Sequence, residues 1–116
     1  MKTAAIYARY SSHKQREESI EEQVDECREY ALQNDMNVVE VYSDSAISGK
    51  TENRDGWQRM MSDAKLKKFE VLLVYTIDRM GRDRYALAVA KKALRDCGVS
   101  IITIKQPVIE GPESII

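Results

Sequence analysis

Val71-Leu72-Leu73-Val74-Tyr75 is apolar on every successive residue. A strand with one wet face alternates polar and apolar positions, so an unbroken apolar run points to a strand covered on both faces, as in the centre of a parallel sheet. Three other stretches read as short strands: Thr3 to Ala8, Val38 to Tyr42 and Val99 to Ile104, with the quoted run extended to Ile77. They are rich in Val, Ile and Tyr and bounded by polar segments. Helical patterns alternate with them. Ser19-Ile20-Glu21-Glu22 has the form of a capping box, and Ile20, Val24, Cys27 and Ala31 recur on one face up to about Asn34. Trp57, Met60, Met61 and Ala64 form a second stripe; Ala86, Leu87, Ala90, Ala93, Leu94 and Cys97 form a third, with Gly98 placed to end it.

This alternation predicts an α/β fold, a three-layer α/β/α sandwich on a mainly parallel sheet of order 2-1-3-4, with room for an extra antiparallel edge strand. In that order the first and third strands lie side by side and their connections leave in opposite directions, which opens a crevice at their C-terminal ends. Arg9 and Ser11, in Tyr7-Ala8-Arg9-Tyr10-Ser11, are expected to emerge at one of these ends. Asp78, Arg79 and Arg82, in Asp78-Arg79-Met80-Gly81-Arg82, are expected at the other. Guanidinium groups present paired donors that match phosphate oxygens and stay charged at physiological pH. Three of them beside one hydroxyl suggest a phosphodiester substrate.

The 116 residues, 43% of them hydrophobic, suit one domain spanning 1–116. Eighteen basic against nineteen acidic side chains give a formal charge of -1, which excludes the strongly basic balance of a self-sufficient DNA binder. Arg9 interrupts the N-terminal apolar run too early for a signal peptide, so a cytoplasmic protein is expected by default. Cys27 and Cys97 have no metal-like spacing and read as reduced, packed thiols. Two polar loops, Ser11 to Glu18 and Ser43 to Asn53, are placed to close over the crevice.

Five separated blocks carry a further reading: Tyr7-Ala8-Arg9-Tyr10-Ser11-Ser12, Ser19-Ile20-Glu21-Glu22-Gln23, Asp44-Ser45-Ala46-Ile47-Ser48-Gly49, Asn53-Arg54-Asp55-Gly56 and Asp78-Arg79-Met80-Gly81-Arg82-Asp83. From about Tyr7 to Pro107 the chain resembles the catalytic domain of serine site-specific recombinases, the resolvases, invertases and large serine integrases. The resemblance implies that Ser11 attacks a DNA phosphodiester, becomes joined to the 5′ phosphate and releases a 3′ hydroxyl. It implies that Arg9, Arg79 and Arg82 contact the phosphate, that Arg54 is a further active-site arginine, and that Gln23 and Asp78 support them. Tyr7, Gln15 and Asp44 are further matching positions. It also implies double-stranded DNA attachment sites as substrate, self-association to a dimer and a synaptic tetramer, and no metal or cofactor. The loop before Ser19 and the segment from Ile47 to Arg54 look more like the large recombinases, in which DNA-binding domains follow the catalytic one, so a fragment of a longer protein is expected.

Plainer uses compete with these roles. A serine after a strand is commonly a turn or cap residue, Arg54 before a helix commonly makes a surface ion pair, Gln23 can cap a loop, and Asp44 can form a turn. Asp78 either holds Arg79 or carries a proton. His13 reads as a solvated loop residue. Two rival functions remain: a Mg²⁺-dependent phosphoryl-transfer domain and a catalytically silent assembly or regulatory module. The first needs a carboxylate where the first strand delivers Arg9, and a cation there repels the metal.

Overall fold

The computed structural model describes residues 1–11, 19–46, 55–76 and 84–105, with Ser11, Ala46 and Arg84 in backbone only. Along the chain these residues form β1 (Lys2–Ser11), α1 (Ile20–Gln33), β2 (Met36–Ala46), α2 (Asp55–Lys65), β3 (Val71–Val74), α3 (Arg84–Asp96) and β4 (Ser100–Thr103). The four strands are parallel and lie in the order β2-β1-β3-β4. The expected 2-1-3-4 sheet is therefore present, and no antiparallel strand is found among the described residues.

Each face of the sheet has its own apolar layer. Ala4, Ile6, Val71 and Leu73 pack with Cys27 and Ala31 of α1, while Ala5, Tyr7, Leu72 and Val74 pack with Met60 and Ala64 of α2 and Leu94 of α3. Odd and even positions of β1 and β3 thus feed opposite layers, which is why β3 and the Ala4 to Ala8 portion of β1 are apolar at successive positions. All four residues of β3 are buried. Cys27 and Cys97 belong to opposite layers, and both are free thiols. Burial, aided by nearby Glu26, pushes the Cys27 thiol up to about 12, so it stays protonated and inert at neutral pH.

The helix ends follow from local chemistry. Ser19 Oγ accepts from the Glu22 amide at 3.1 Å and the Ser19 amide donates to Glu22 Oε1 at 3.1 Å, which is the expected capping box. At the end of α3, Gly98 takes φ +83°, with its amide on the Arg95 carbonyl and the Val99 amide on the Leu94 carbonyl, both at 2.9 Å. That paired pattern is a Schellman turn, and glycine adopts the required left-handed conformation without a Cβ clash.

The strand boundaries differ from expectation where it matters most. β1 runs to Ser11 and β2 to Ala46, paired all the way, whereas β3 ends at Val74. Arg9 therefore lies inside a strand, and Ser11 forms its last residue. Asp44 likewise sits within β2 and not at its end or in a turn. Mutual pairing carries both strands beyond their apolar portions, since each supplies the other's backbone partners. The register also slips by one residue: Ala4 pairs with Val38 but Ala5 with Glu40, so Val39 is passed over and stands exposed. Beyond that bulge, Tyr7 faces Tyr42 and Arg9 faces Asp44.

Candidate active site

The C-terminal half of β1 extends past β3, and at Arg9 one side chain takes the place of the missing strand. The Arg9 amide donates to Gln23 Oε1 at 3.2 Å, and Gln23 Nε2 donates to the Arg9 carbonyl at 3.0 Å. A carboxamide has one acceptor and one donor side by side, so it imitates the edge of a neighbouring strand. Gln23 is fully buried at the start of α1, where an unbonded amide would cost several kcal/mol. The capping box starts α1 three residues earlier and so sets where this amide falls. Gln23 holds the Arg9 backbone here and does not cap a loop.

Asp44 organises the other side. Its Oδ2 accepts from the Tyr7 hydroxyl at 2.7 Å and from the Trp57 amide at 2.9 Å, and its Oδ1 accepts from the Gly56 amide at 2.8 Å. These amides belong to the first turn of α2, where backbone N–H groups have no partner within the helix and the helix dipole favours an anion. The carboxylate is only 7% exposed, and its bonds to three donors offset the cost of burying a charge. The Trp57 ring meets the Tyr7 ring edge-on, with centroids 5.1 Å apart and planes at 74°. Tyr7 is itself fully buried.

A second pair lies beneath the other end of α2. The Tyr42 hydroxyl donates to Asp63 Oδ2 at 2.5 Å, Lys68 Nζ stands 3.5 Å from Asp63 Oδ1, and the Arg59 guanidinium lies 5.3 Å from the Tyr42 ring centroid. The Tyr42 hydrogen bond, with help from Lys68 and Arg59, lowers the Asp63 pKa. Burial, followed by the bond to Asp63, raises that of Tyr42.

Tyr7, Arg9, Gln23 and Asp44 are thus brought together around the end of β1, and the Ser11 backbone continues that strand opposite Ala46. Gln15, Arg54, Asp78, Arg79 and Arg82 lie outside the described residues. Sequence reasoning read Trp57 as part of an apolar stripe and Gly56 as part of a motif block, and missed that their backbone amides hold Asp44. The available signal was a glycine in the first turn of a helix, a place where it weakens the helix unless close packing requires it. Among the described residues no group of His, Cys, Asp and Glu could hold a metal ion, and no helix is long and apolar enough to cross a membrane.

Comparison with known proteins places these features in a family. Residues 4–114 match the model of the resolvase N-terminal domain. The catalytic domain of TP901-1 integrase superposes with a TM-score of 0.75 at 31% identity, covering 89% of this chain and 77% of that one. The catalytic domain of ISC1926 TnpA, an IS607-like serine recombinase, gives 0.76 at 30% identity, covering 90% and 71%. A resolvase-family site-specific recombinase from Streptococcus pneumoniae gives 0.77 at 27% identity, covering 90% and 72%.

Proposed function

The chain belongs to the resolvase family of serine recombinases, and from that premise we infer that it performs site-specific DNA recombination through a covalent seryl–DNA intermediate. Ser11 Oγ attacks a backbone phosphorus. The new bond is Oγ–P, the bond broken is P–O3′, and the serine proton ends on the released 3′ hydroxyl. DNA is left attached through its 5′ phosphate. Reversal by the 3′ hydroxyl of another strand reseals the DNA without an external energy source, because the phosphodiester is exchanged and not hydrolysed.

Serine is a weak nucleophile at neutral pH, so the reaction depends on stabilising charge that develops on the phosphate oxygens. Arg9, Arg79, Arg82 and Arg54 supply that charge, and Asp78 orients Arg79. Gln23 sets the strand that carries Arg9 and Ser11; Tyr7 and Asp44 act from beneath, being buried. The observation that carries this reading is the grip of Gln23 on the Arg9 backbone, two residues before the Ser11 position, within a chain matched to the family over nearly its whole length. Glu21, Glu22, Asp25, Glu26 and Glu29 on the exposed face of α1 repel phosphate, so DNA approaches the strand ends and not that helix. The substrate is double-stranded DNA bearing an attachment site, the working assembly is a dimer that pairs into a tetramer, and the location is the cytoplasm, on DNA. We read residues 1–116 as one catalytic domain of a longer recombinase.

The test is to trap the recombinase on its site and look for a protein–DNA adduct. Ser11→Ala is expected to abolish it, while Ser12→Ala and added EDTA leave it. An adduct that survives Ser11→Ala removes the nucleophile assignment. One lost only in Ser12→Ala transfers the role to Ser12, and loss on chelation points to a metal-dependent reaction.

A further inference from the structure

We propose that the backbone N–H of Ser11 is itself a catalytic group, donating a hydrogen bond to a non-bridging oxygen of the phosphate that Ser11 Oγ attacks. The proposal rests on the seryl-transfer chemistry given above and adds a donor to it. Within a parallel strand the N–H and C=O of one residue point to the same neighbouring strand, and the direction reverses at each step. In β1 the odd positions point toward β3. The Thr3 carbonyl accepts from the Glu70 amide at 2.9 Å, just before β3 begins, and Ala5 and Tyr7 lie opposite Leu72 and Val74. Arg9 turns the same way, and there Gln23 meets both of its backbone groups, at 3.2 and 3.0 Å.

This alternation reaches Ser11 without a break, because the skipped residue belongs to β2 and β1 pairs residue for residue from Ala5 opposite Glu40 to Ser11 opposite Ala46. Ala8 and Tyr10 direct their polar groups to β2. The Ser11 amide therefore faces the side on which β3 has ended at Val74. Two residues of strand span about 6.6 Å, so the carboxamide that serves Arg9 lies out of its reach. Among the described residues no other group takes that place. In a serine only two carbons separate the nitrogen from Oγ, so phosphorus bonded to Oγ brings its other oxygens within hydrogen-bond range of the same residue's amide. Pairing with β2 fixes the direction of this donor before charge develops, which is the condition for it to lower the barrier. Serine proteases use the amide of their own nucleophile as an oxyanion donor in the same manner.

An amide-to-ester exchange in the full-length recombinase tests this. A synthetic segment 1–26 carrying the α-hydroxy analogue of serine at position 11 is ligated to the rest of the chain through the Cys27 thiol, with an all-amide ligated chain as reference. The ester keeps Oγ and removes one N–H. At saturating attachment-site DNA, adduct formation is expected to slow by about a hundredfold, with DNA affinity changed by less than about twofold. The corresponding ester at Ala8 removes an N–H that faces β2 and is expected to lower stability in urea while leaving the rate within about threefold of the reference. Sulfur in place of one non-bridging oxygen of the scissile phosphate gives a second readout. One diastereomer is expected to react more slowly with the all-amide chain, and that preference to fall by about tenfold in the Ser11 ester. Should the ligated chain not refold, the same analogue introduced at position 11 during translation carries the test. An undiminished rate in the Ser11 ester, equal slowing by both esters, or an unchanged preference between diastereomers overturns the proposal while leaving Ser11 as nucleophile. An adduct that survives Ser11→Ala overturns the chemistry on which it rests.

Discussion

Two tyrosine–aspartate pairs hold α2 against the sheet, and they are built from the same residues for different ends. Tyr7 and Tyr42 are neighbours across β1 and β2, both in the layer beneath α2. Tyr7 reaches the first turn of the helix through Asp44, and Tyr42 reaches Asp63 near its other end. Asp44 is buried and bonded to two backbone amides besides the hydroxyl, whereas the Asp63 side chain is 22% exposed and has a lysine partner at 3.5 Å. Burial shields the first carboxylate from solvent that could replace a lost partner, whereas the second is open to it. An identical bond is therefore structural and positional at one end and supportive at the other.

The sharpest way to break this comparison is to delete the two carboxylates. Asp44→Ala leaves two amides and a hydroxyl without their acceptor and is expected to cost about 4 kcal/mol in urea unfolding, against about 1 kcal/mol for Asp63→Ala. Equal losses would remove the distinction. Deleting the hydroxyls is gentler: Tyr7→Phe is expected to cost about 2 kcal/mol, because the charged acceptor stays buried with two donors in place of three. Its effect on adduct formation should exceed that of Tyr42→Phe, since only Tyr7 lies on the strand that carries Arg9 and Ser11.

Tyr42→Phe has the smallest expected effect near neutral pH, about 1 kcal/mol or less, but a distinct pH signature. The folded-state pKa of Asp63 is depressed from 3.8, so its contribution is present above that value and is lost as pH falls through the folded pKa. That of Tyr42 is raised from 10.0, so its contribution is full below pH 10.0 and fades as pH rises beyond it. Unfolding curves of Tyr42→Phe should be flatter than wild type in both limbs. A mutant whose acid and alkaline limbs match the wild type would show that the bond contributes nothing.

Much of this was legible in the sequence, for identifiable reasons. The apolar run at Val71, the capping box at Ser19 and the glycine at position 98 each act through neighbours in the chain, so local pattern was enough to read them. Gln23 was readable as a polar residue beside an apolar face, but its partner is the backbone of Arg9, 14 residues away, and backbone atoms leave no mark in side-chain identity. Asp44 read equally as a turn former and as a site residue, because its short polar side chain is common in turns. Only pairing with β1 extends β2 through it.

By itself the amino-acid sequence determined the alternation of strands and helices and the two-sided burial of the strand at Val71, which follow from periodicity; the five motif blocks carried the resemblance to the family, and crossover handedness pointed to the sheet order. The tertiary structure decided which face Asp44 occupies. Strict alternation from Val38 would place Tyr42 and Asp44 in the α1 layer; the skipped residue at Val39 turns them to the α2 layer, opposite Tyr7 and Arg9. One residue of slip changes sides because the strand repeat is two. That slip is settled by competition among whole layers of contacts, which no local stretch of the chain contains.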